Sequence, residues 1–169
     1  MIIEFLKFLW DVFERHILPF QVVRVYEQGV LLTLGKRPKL VTAGVVLKVP
    51  FIQELLVTPV MPDTLTTKPV HVTTTDGETI TVQPVIEYQI DDAMKWLMDC
   101  TDAVTNLHDL TMGYVSDYLT DISWDEVKKK GTQTAIKNKL NKKLQEIGCR
   151  ITLLIFADVC KTKVILTSI

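Results

Sequence analysis

Asp76-Gly77 lies between two stretches of β-forming residues, Val70 to Thr75 and Glu78 to Ile90. An Asp-Gly pair in that setting is a strong short-range hairpin signal, because Gly accepts the positive φ that a tight reversal needs. In the second stretch Ile80, Val82, Ile86, Tyr88 and Ile90 alternate with Thr79, Thr81, Gln83, Glu87 and Gln89. A period of two gives one apolar and one polar face, so this segment commits the chain to antiparallel β-structure. Pro84 interrupts it and implies an edge or a bulge, since proline has no N–H for a ladder bond.

The residues before the hairpin read as more short strands. Gln21 to Glu27 and Val30 to Gly35 are β-branched runs, with a tight turn expected at Gln28-Gly29. Thr42-Ala43-Gly44 is a second turn, and Val45 to Val49 and Glu54 to Val60 are further strands punctuated by Pro50, Pro59 and Pro62. After the hairpin the period changes. Asp91 is expected to cap a short helix through Leu97, and Thr101 a longer one with Val104, Leu107, Leu110 or Thr111, Tyr114, Val115 and Tyr118 at helical spacing. Ser123 and Glu126 have capping-box spacing. Thr132 to Ile147 forms a helix with Ile136, Leu140, Leu144 and Ile147 as its stripe, and Gly148 ends it. Cys149 to Ala157 is a strand, and Val164 to Ile169 fits another. Strands, then helices, then a strand indicate an α+β fold: a small curled antiparallel β-sheet subdomain over 21–90, then an αβ subdomain over 91–169.

Residues 1–20 form a separate unit. On a helix, Glu4, Lys7, Asp11, Glu14 and Arg15 fall within an arc of about 100°. Ile2, Phe5, Leu6, Leu9, Trp10, Val12, Phe13 and Ile17 occupy most of the rest, and Pro19 ends the helix. The charges recur too often for a transmembrane span, and about 18 helical residues reach roughly 27 Å against a hydrocarbon core of roughly 30 Å. A signal peptide would need a basic leader and an unbroken apolar run. The segment therefore reads as an amphipathic helix lying in a membrane interface through those eight apolar residues, or docking on another protein. Three acids against two bases on its polar face leave no attraction to anionic lipid. Half-burying eight apolar side chains is worth about 6–12 kcal/mol before the helix is ordered.

The remaining residues carry little recognisable chemistry. A formal charge of −1 gives no general pull toward nucleic acid. Cys100, Cys149 and Cys160 form no CxxC pair and read as buried free thiols in a reducing compartment. His16, His71 and His108 are scattered, so neither a metal centre nor a Cys–His nucleophile is expected. Gly29 to Arg37 is a poor phosphate loop: it has one residue too many between its glycines, and Arg37 stands where Ser or Thr would hold Mg²⁺. No catalytic residue and no cofactor is expected. The basic concentration around Lys128, Lys129 and Lys130, with Lys137, Lys139, Lys142, Lys143 and Arg150, is a solvated helix face or a contact for anionic lipid or a neighbouring subunit. Aromatics do not interleave with it, which disfavours nucleic acid.

Several segments together resemble one family. Val25-Tyr26-Glu27-Gln28-Gly29-Val30 with Leu34-Gly35-Lys36 is similar to its opening hairpin, and Thr42-Ala43-Gly44 with Val49-Pro50-Phe51-Ile52 to its next turn. The segments 72–82 and 85–90 match its central hairpin, and Gly148 with the strand to Asp158 its ending. Over about Val22 to Val159 the sequence resembles the band 7 (SPFH) domain of stomatin, prohibitin and flotillin. The resemblance implies two subdomains, membrane attachment just before the domain, side-by-side homo-oligomerisation, and scaffolding or regulation of membrane proteins, proteases included. It implies no catalytic site. Family members usually carry a hydrophobic hairpin or full span first and a long coiled coil last. Here a shorter amphipathic segment precedes the domain and no heptads follow it, so large closed cages are not expected. The expectation is a membrane-associated scaffold on the cytoplasmic face with lipid and membrane-protein partners. The alternative is a structural subunit of a soluble or viral assembly whose first helix packs on other chains.

Overall fold

The computed structural model describes residues 3, 4, 7 and 20–161, with the side chain of Lys130 left aside. The strands come first: β1 (Phe20–Val23), β2 (Glu27–Thr33), β3 (Lys36–Val41), β4 (Gly44–Leu47), β5 (Gln53–Pro59), β6 (Asp63–Thr66), β7 (Val70–Thr73) and β8 (Thr79–Ile90). Helices α1 (Ala93–Met98), α2 (Ala103–Thr120), α3 (Trp124–Val127) and α4 (Lys130–Leu144) follow, then a 3₁₀ turn (Gln145–Ile147) and β9 (Cys149–Lys161). All pairings are antiparallel: a β1–β4 ribbon, a β3-β2-β5 sheet, and a sheet in which β8 pairs with β6 and β7 on one side and β9 on the other. The architecture is α+β, with helices after strands.

β8 carries the larger core. Its burial alternates without a break over all 12 residues, and Pro84 keeps the phase. The strand is internal, so of the two roles open to Pro84 the bulge is the one it fills. Gln83 pairs with Asp158 and Pro84 with Phe156, which leaves Ala157 as the extra residue. The Pro84 carbonyl instead accepts bonds from Thr67 N (3.0 Å) and Thr67 Oγ1 (2.8 Å). The Asp76-Gly77 reversal forms as expected. Gly77 has φ +78°, Gly77 N donates to Thr74 O (2.9 Å), and Thr74 N donates to Glu78 O (3.0 Å).

Ile80, Val82 and Ile86 share this core with Leu107, Val115 and Leu119 of α2 and Ile136, Leu140 and Leu144 of α4. β1, β2 and β5 close a smaller core around Val23, Leu31 and Leu55. The exposed edge of β9 is blunted at one point. Asn141 on α4 offers its amide to Ile151 as a strand would, accepting from Ile151 N (2.7 Å) and donating to Ile151 O (3.0 Å).

Several local expectations are corrected. The first reversal is at Val25-Tyr26, not Gln28-Gly29, and β1 pairs with β4. Gly29 lies within β2, where a Cβ would stand 3.0 Å from Leu56 O and from Leu55 Cδ1; close packing, not turn formation, requires glycine there. β3 and β6 are strands the sequence did not show, because Lys36-Arg37-Pro38-Lys39 is polar and proline-containing. β3 is an edge strand, where both features are tolerated. Asp92, not Asp91, caps α1, accepting from Met94 N and Lys95 N. Asp102, not Thr101, caps α2, accepting from Thr105 N. Asp91 instead pairs with Arg150 at 3.3 Å. The α2 stripe is Ala103, Leu107, Thr111, Val115 and Leu119, and Val104 is exposed. The Ser123–Glu126 capping box is present. Of the three thiols, Cys149 is buried, Cys100 half-buried and Cys160 exposed. Burial, with a smaller contribution from Asp91, pushes the Cys149 thiol up to about 12, which makes it a poor nucleophile.

Candidate membrane-contact surface

The eight apolar residues expected to touch lipid (Ile2, Phe5, Leu6, Leu9, Trp10, Val12, Phe13 and Ile17) lie outside the described residues, as does the strand expected at Val164 to Ile169. Ile3, Glu4 and Lys7 are helical and exposed. The first described strand begins at Phe20, and the surface it opens is apolar.

β1 and β4 form a two-stranded ribbon in which Phe20 faces Leu47 and Val22 faces Val45. With a period of two, these four share one side, while Val23 and Val46 turn to the smaller core. The outward side is open: Val22 is 61 % exposed, Val45 70 % and Leu47 75 %. β-branched and aromatic residues belong in strands, but a ribbon facing only water has no use for apolar residues on its outer side.

Two loop tips adjoin the Phe20–Leu47 end. The first joins β2 to β3. Thr33 pairs with Lys36, leaving Leu34-Gly35 as a two-residue loop with φ +53° and +64°. Positive φ at both positions is the type I′ arrangement, whose first position normally takes Asn, Asp or Gly. The second tip joins β4 to β5. Ile52 N donates to Val49 O (3.3 Å), with Pro50-Phe51 central and Phe51 at φ +66°. Proline followed by positive φ is a type II pattern, whose second position normally takes Gly. Leu34 N donates to Ile52 O (2.8 Å), which ties the tips together. Gln53 braces them, its Oε1 accepting from Val49 N (2.9 Å) and its Nε2 donating to Thr33 Oγ1 (3.2 Å).

Leu34 is 73 % exposed and Phe51 83 %. A left-handed L-residue with a Cβ costs about 1–2 kcal/mol relative to glycine. Both side chains therefore impose strain and gain no burial within the subunit. Arg37 on β3 shares the left-handed φ (+55°) and is also exposed, so it is the apolar character of Leu34 and Phe51, not the φ alone, that sets the two tips apart. Between the tips and β1 runs a cleft of about 680 Å³, lined by Gln21, Leu34, Lys48, Phe51 and Gln53 among others. Lys48 is only 8 % exposed, and its Nζ meets Gln21 Oε1 at 3.4 Å.

The sequence places Leu34 and Phe51 in family-like segments but marks neither as a contact residue, because their exposure follows from φ angles that composition does not reveal. A bulky apolar residue immediately before the Gly of a two-residue reversal, and one immediately after a turn proline, are the traces they leave. Of the basic group, Lys128 and Lys129 are exposed. Lys128 Nζ is 4.6 Å from the centre of the Trp124 ring and 3.9 Å from Asp125 Oδ1. Among the described residues no helix is long and apolar enough to cross a membrane, and no cluster of three or more His, Cys, Asp or Glu fits a metal ion.

Comparison with known proteins agrees with the resemblance in the sequence. The family model for the SPFH domain / Band 7 family matches residues 21–164. A protein of Methanothermobacter thermautotrophicus, described as uncharacterized, is 23 % identical over 133 residues, covering 78 % of this chain and 42 % of its own length. The chain thus spans less than half of that relative. With most of its residues matched and the strand-then-helix order in place, the chain belongs to the SPFH domain / Band 7 family.

Proposed function

We propose that this protein is a membrane-associated, self-assembling scaffold that holds membrane proteins, a membrane protease among them, on the cytoplasmic side of a bilayer. The reading assigns it no catalytic step and no cofactor. The observation that carries it is the pair of strained, exposed apolar tips, Leu34 and Phe51, adjoining the apolar side of the β1–β4 ribbon. The ribbon begins at Phe20, the last residue of the amphipathic segment 1–20, and Phe20 stands opposite Leu47 at the end of the ribbon that adjoins the tips. In this reading residues 1–20 anchor, residues 21–90 rest on lipid, and residues 91–169 face neighbours and clients. Membrane association is general in the family.

Flotation with neutral vesicles tests the anchor. The full chain floats, and the Leu9→Asp, Phe13→Asp double variant remains at the bottom of the gradient with unchanged circular dichroism. Equal flotation of the two proteins removes the first segment from the binding surface. A chain that never floats but forms a homogeneous oligomer without detergent supports instead the assembly in which that segment packs on other chains.

A further inference from the structure

Charge is segregated between the two long helices. α2 holds Asp109 and Asp117, is flanked by Asp102 and Asp121, and contains no Lys or Arg. α4 holds Lys137, Lys139, Lys142 and Lys143 and contains no Asp or Glu. With a net charge of −1 for the whole chain, this is a local separation and not a bias of composition. Within the subunit an ion pair joins the helices, Lys139 Nζ to Asp117 Oδ2 at 3.0 Å, with the ammonium 5.8 Å from the centre of the Tyr114 ring. Lys142 points to the surface. Asp109 is 71 % exposed and meets His108 Nδ1 at 3.0 Å.

The acidic side of α2 also has a shape. Asn106, Asp109, Leu110, Gly113, Tyr114 and Asp117 line a groove of about 400 Å³. Their spacing of three and four residues makes the kind of hole that receives a side chain from a facing helix. Gly113 is its centre. Glycine weakens a helix interior, and here no internal neighbour requires it: a Cβ on Gly113 would meet nothing within 4 Å. The space is open to the outside, with an apolar floor of Leu110 and Tyr114 and acids at both ends.

We infer that copies of this chain dock on one another through these helices, the basic side of α4 of one copy lying on the acidic groove of α2 of the next. The aliphatic stem of the neighbour's Lys142 lies over Gly113 and its ammonium reaches Asp109, as Lys139 already reaches Asp117 inside each subunit. A second copy is the occupant that the charges select, because the same chain carries both complementary sides. This rests on the proposed self-assembly and names the surface that performs it.

The test uses the full chain on neutral vesicles, with association measured by crosslinking and by single-molecule stoichiometry. Asp109→Lys and Lys142→Glu each bring like charges together across the contact and are expected to weaken association at least tenfold. The double variant restores opposite charges in every contact and is expected to return association to within about twofold of wild type. Gly113→Leu fills the groove and is expected to weaken association by about tenfold without lowering the melting temperature of the dilute protein. If the wild type associates while both single reversals associate equally well, this surface is wrong and self-assembly stands. If the wild type remains monomeric at every density on the vesicle, self-assembly fails and this inference with it.

Discussion

Replacing Leu34 and Phe51 together by Asn is expected to reduce partitioning onto neutral vesicles by about tenfold to a hundredfold while leaving the fold as stable as before or more so. Asn tolerates left-handed φ, so each substitution removes part of a strain of about 1–2 kcal/mol. Half-burying a Leu and a Phe in the interface is worth about 1.5–3 kcal/mol together, which is the loss that the partition coefficient reports. Sedimentation with vesicles and thermal melting, run on the same preparation, separate the two effects. The pairing of opposite signs is diagnostic. A merely structural role for the tips lowers stability and leaves partitioning alone, and a dispensable tip changes neither.

Gly148→Ala is expected to destabilise the protein by about 3 kcal/mol or more, which for a chain of this size lowers the melting temperature by roughly 6–12 °C. Gly148 ends the 3₁₀ turn at φ +78° and starts the path into β9. A Cβ there would lie 2.5 Å from the Asp92 carbonyl oxygen and 2.9 Å from Lys95 Cβ. The Gly148 carbonyl accepts from Asp91 N and Asp92 N, both at 3.0 Å, so the end of β8, the cap of α1 and the start of β9 meet at this residue. Gly148→Asn relieves the φ but not the collision, and is expected to lose nearly as much. Gly77→Asn, at the same φ with nothing within 4 Å of the added Cβ, is expected to stay within about 1 kcal/mol of wild type. Thermal melts of the three variants distinguish crowding from backbone strain as the reason for glycine at 148.

The contrast between these glycines shows what the sequence discloses. The β8 alternation, the Asp76-Gly77 reversal, the Ser123–Glu126 box and the Ile136–Leu140–Leu144 stripe are local patterns, and each was readable because near neighbours determine it. β3 was not readable, since a polar strand containing Pro38 is stable only as the edge beside β2. The caps lie one residue beyond the expected Asp91 and Thr101, at Asp92 and Asp102, because adjacent Asp-Asp and Thr-Asp pairs both satisfy the composition rule and only the φ of each residue decides. Gly29 looked like a turn because a glycine needed for close packing has the same letter as one needed for φ.

The candidate surface divides in the same way. Amphipathicity of the first twenty residues is legible as a period. The tips are not, because nothing in the letters of Leu34 or Phe51 states that each stands where Asn or Gly belongs. Their exposure emerges only when β2, β3, β4 and β5 are paired and Leu34 N meets Ile52 O. The α2 groove likewise requires knowing that Gly113 faces outward with empty space around it.

The most direct test of the central claim is the depth of position 51 on a bilayer. Phe51→Cys in a Cys160→Ser background, which removes the exposed native thiol, carries an environment-sensitive fluorophore, and Asp125→Cys carries the same label as the reference. On neutral vesicles containing nitroxide-labelled lipid, the account predicts strong quenching and a blue shift at position 51 and neither at position 125. A label at position 51 that stays in water while the protein is bound to the vesicle contradicts it.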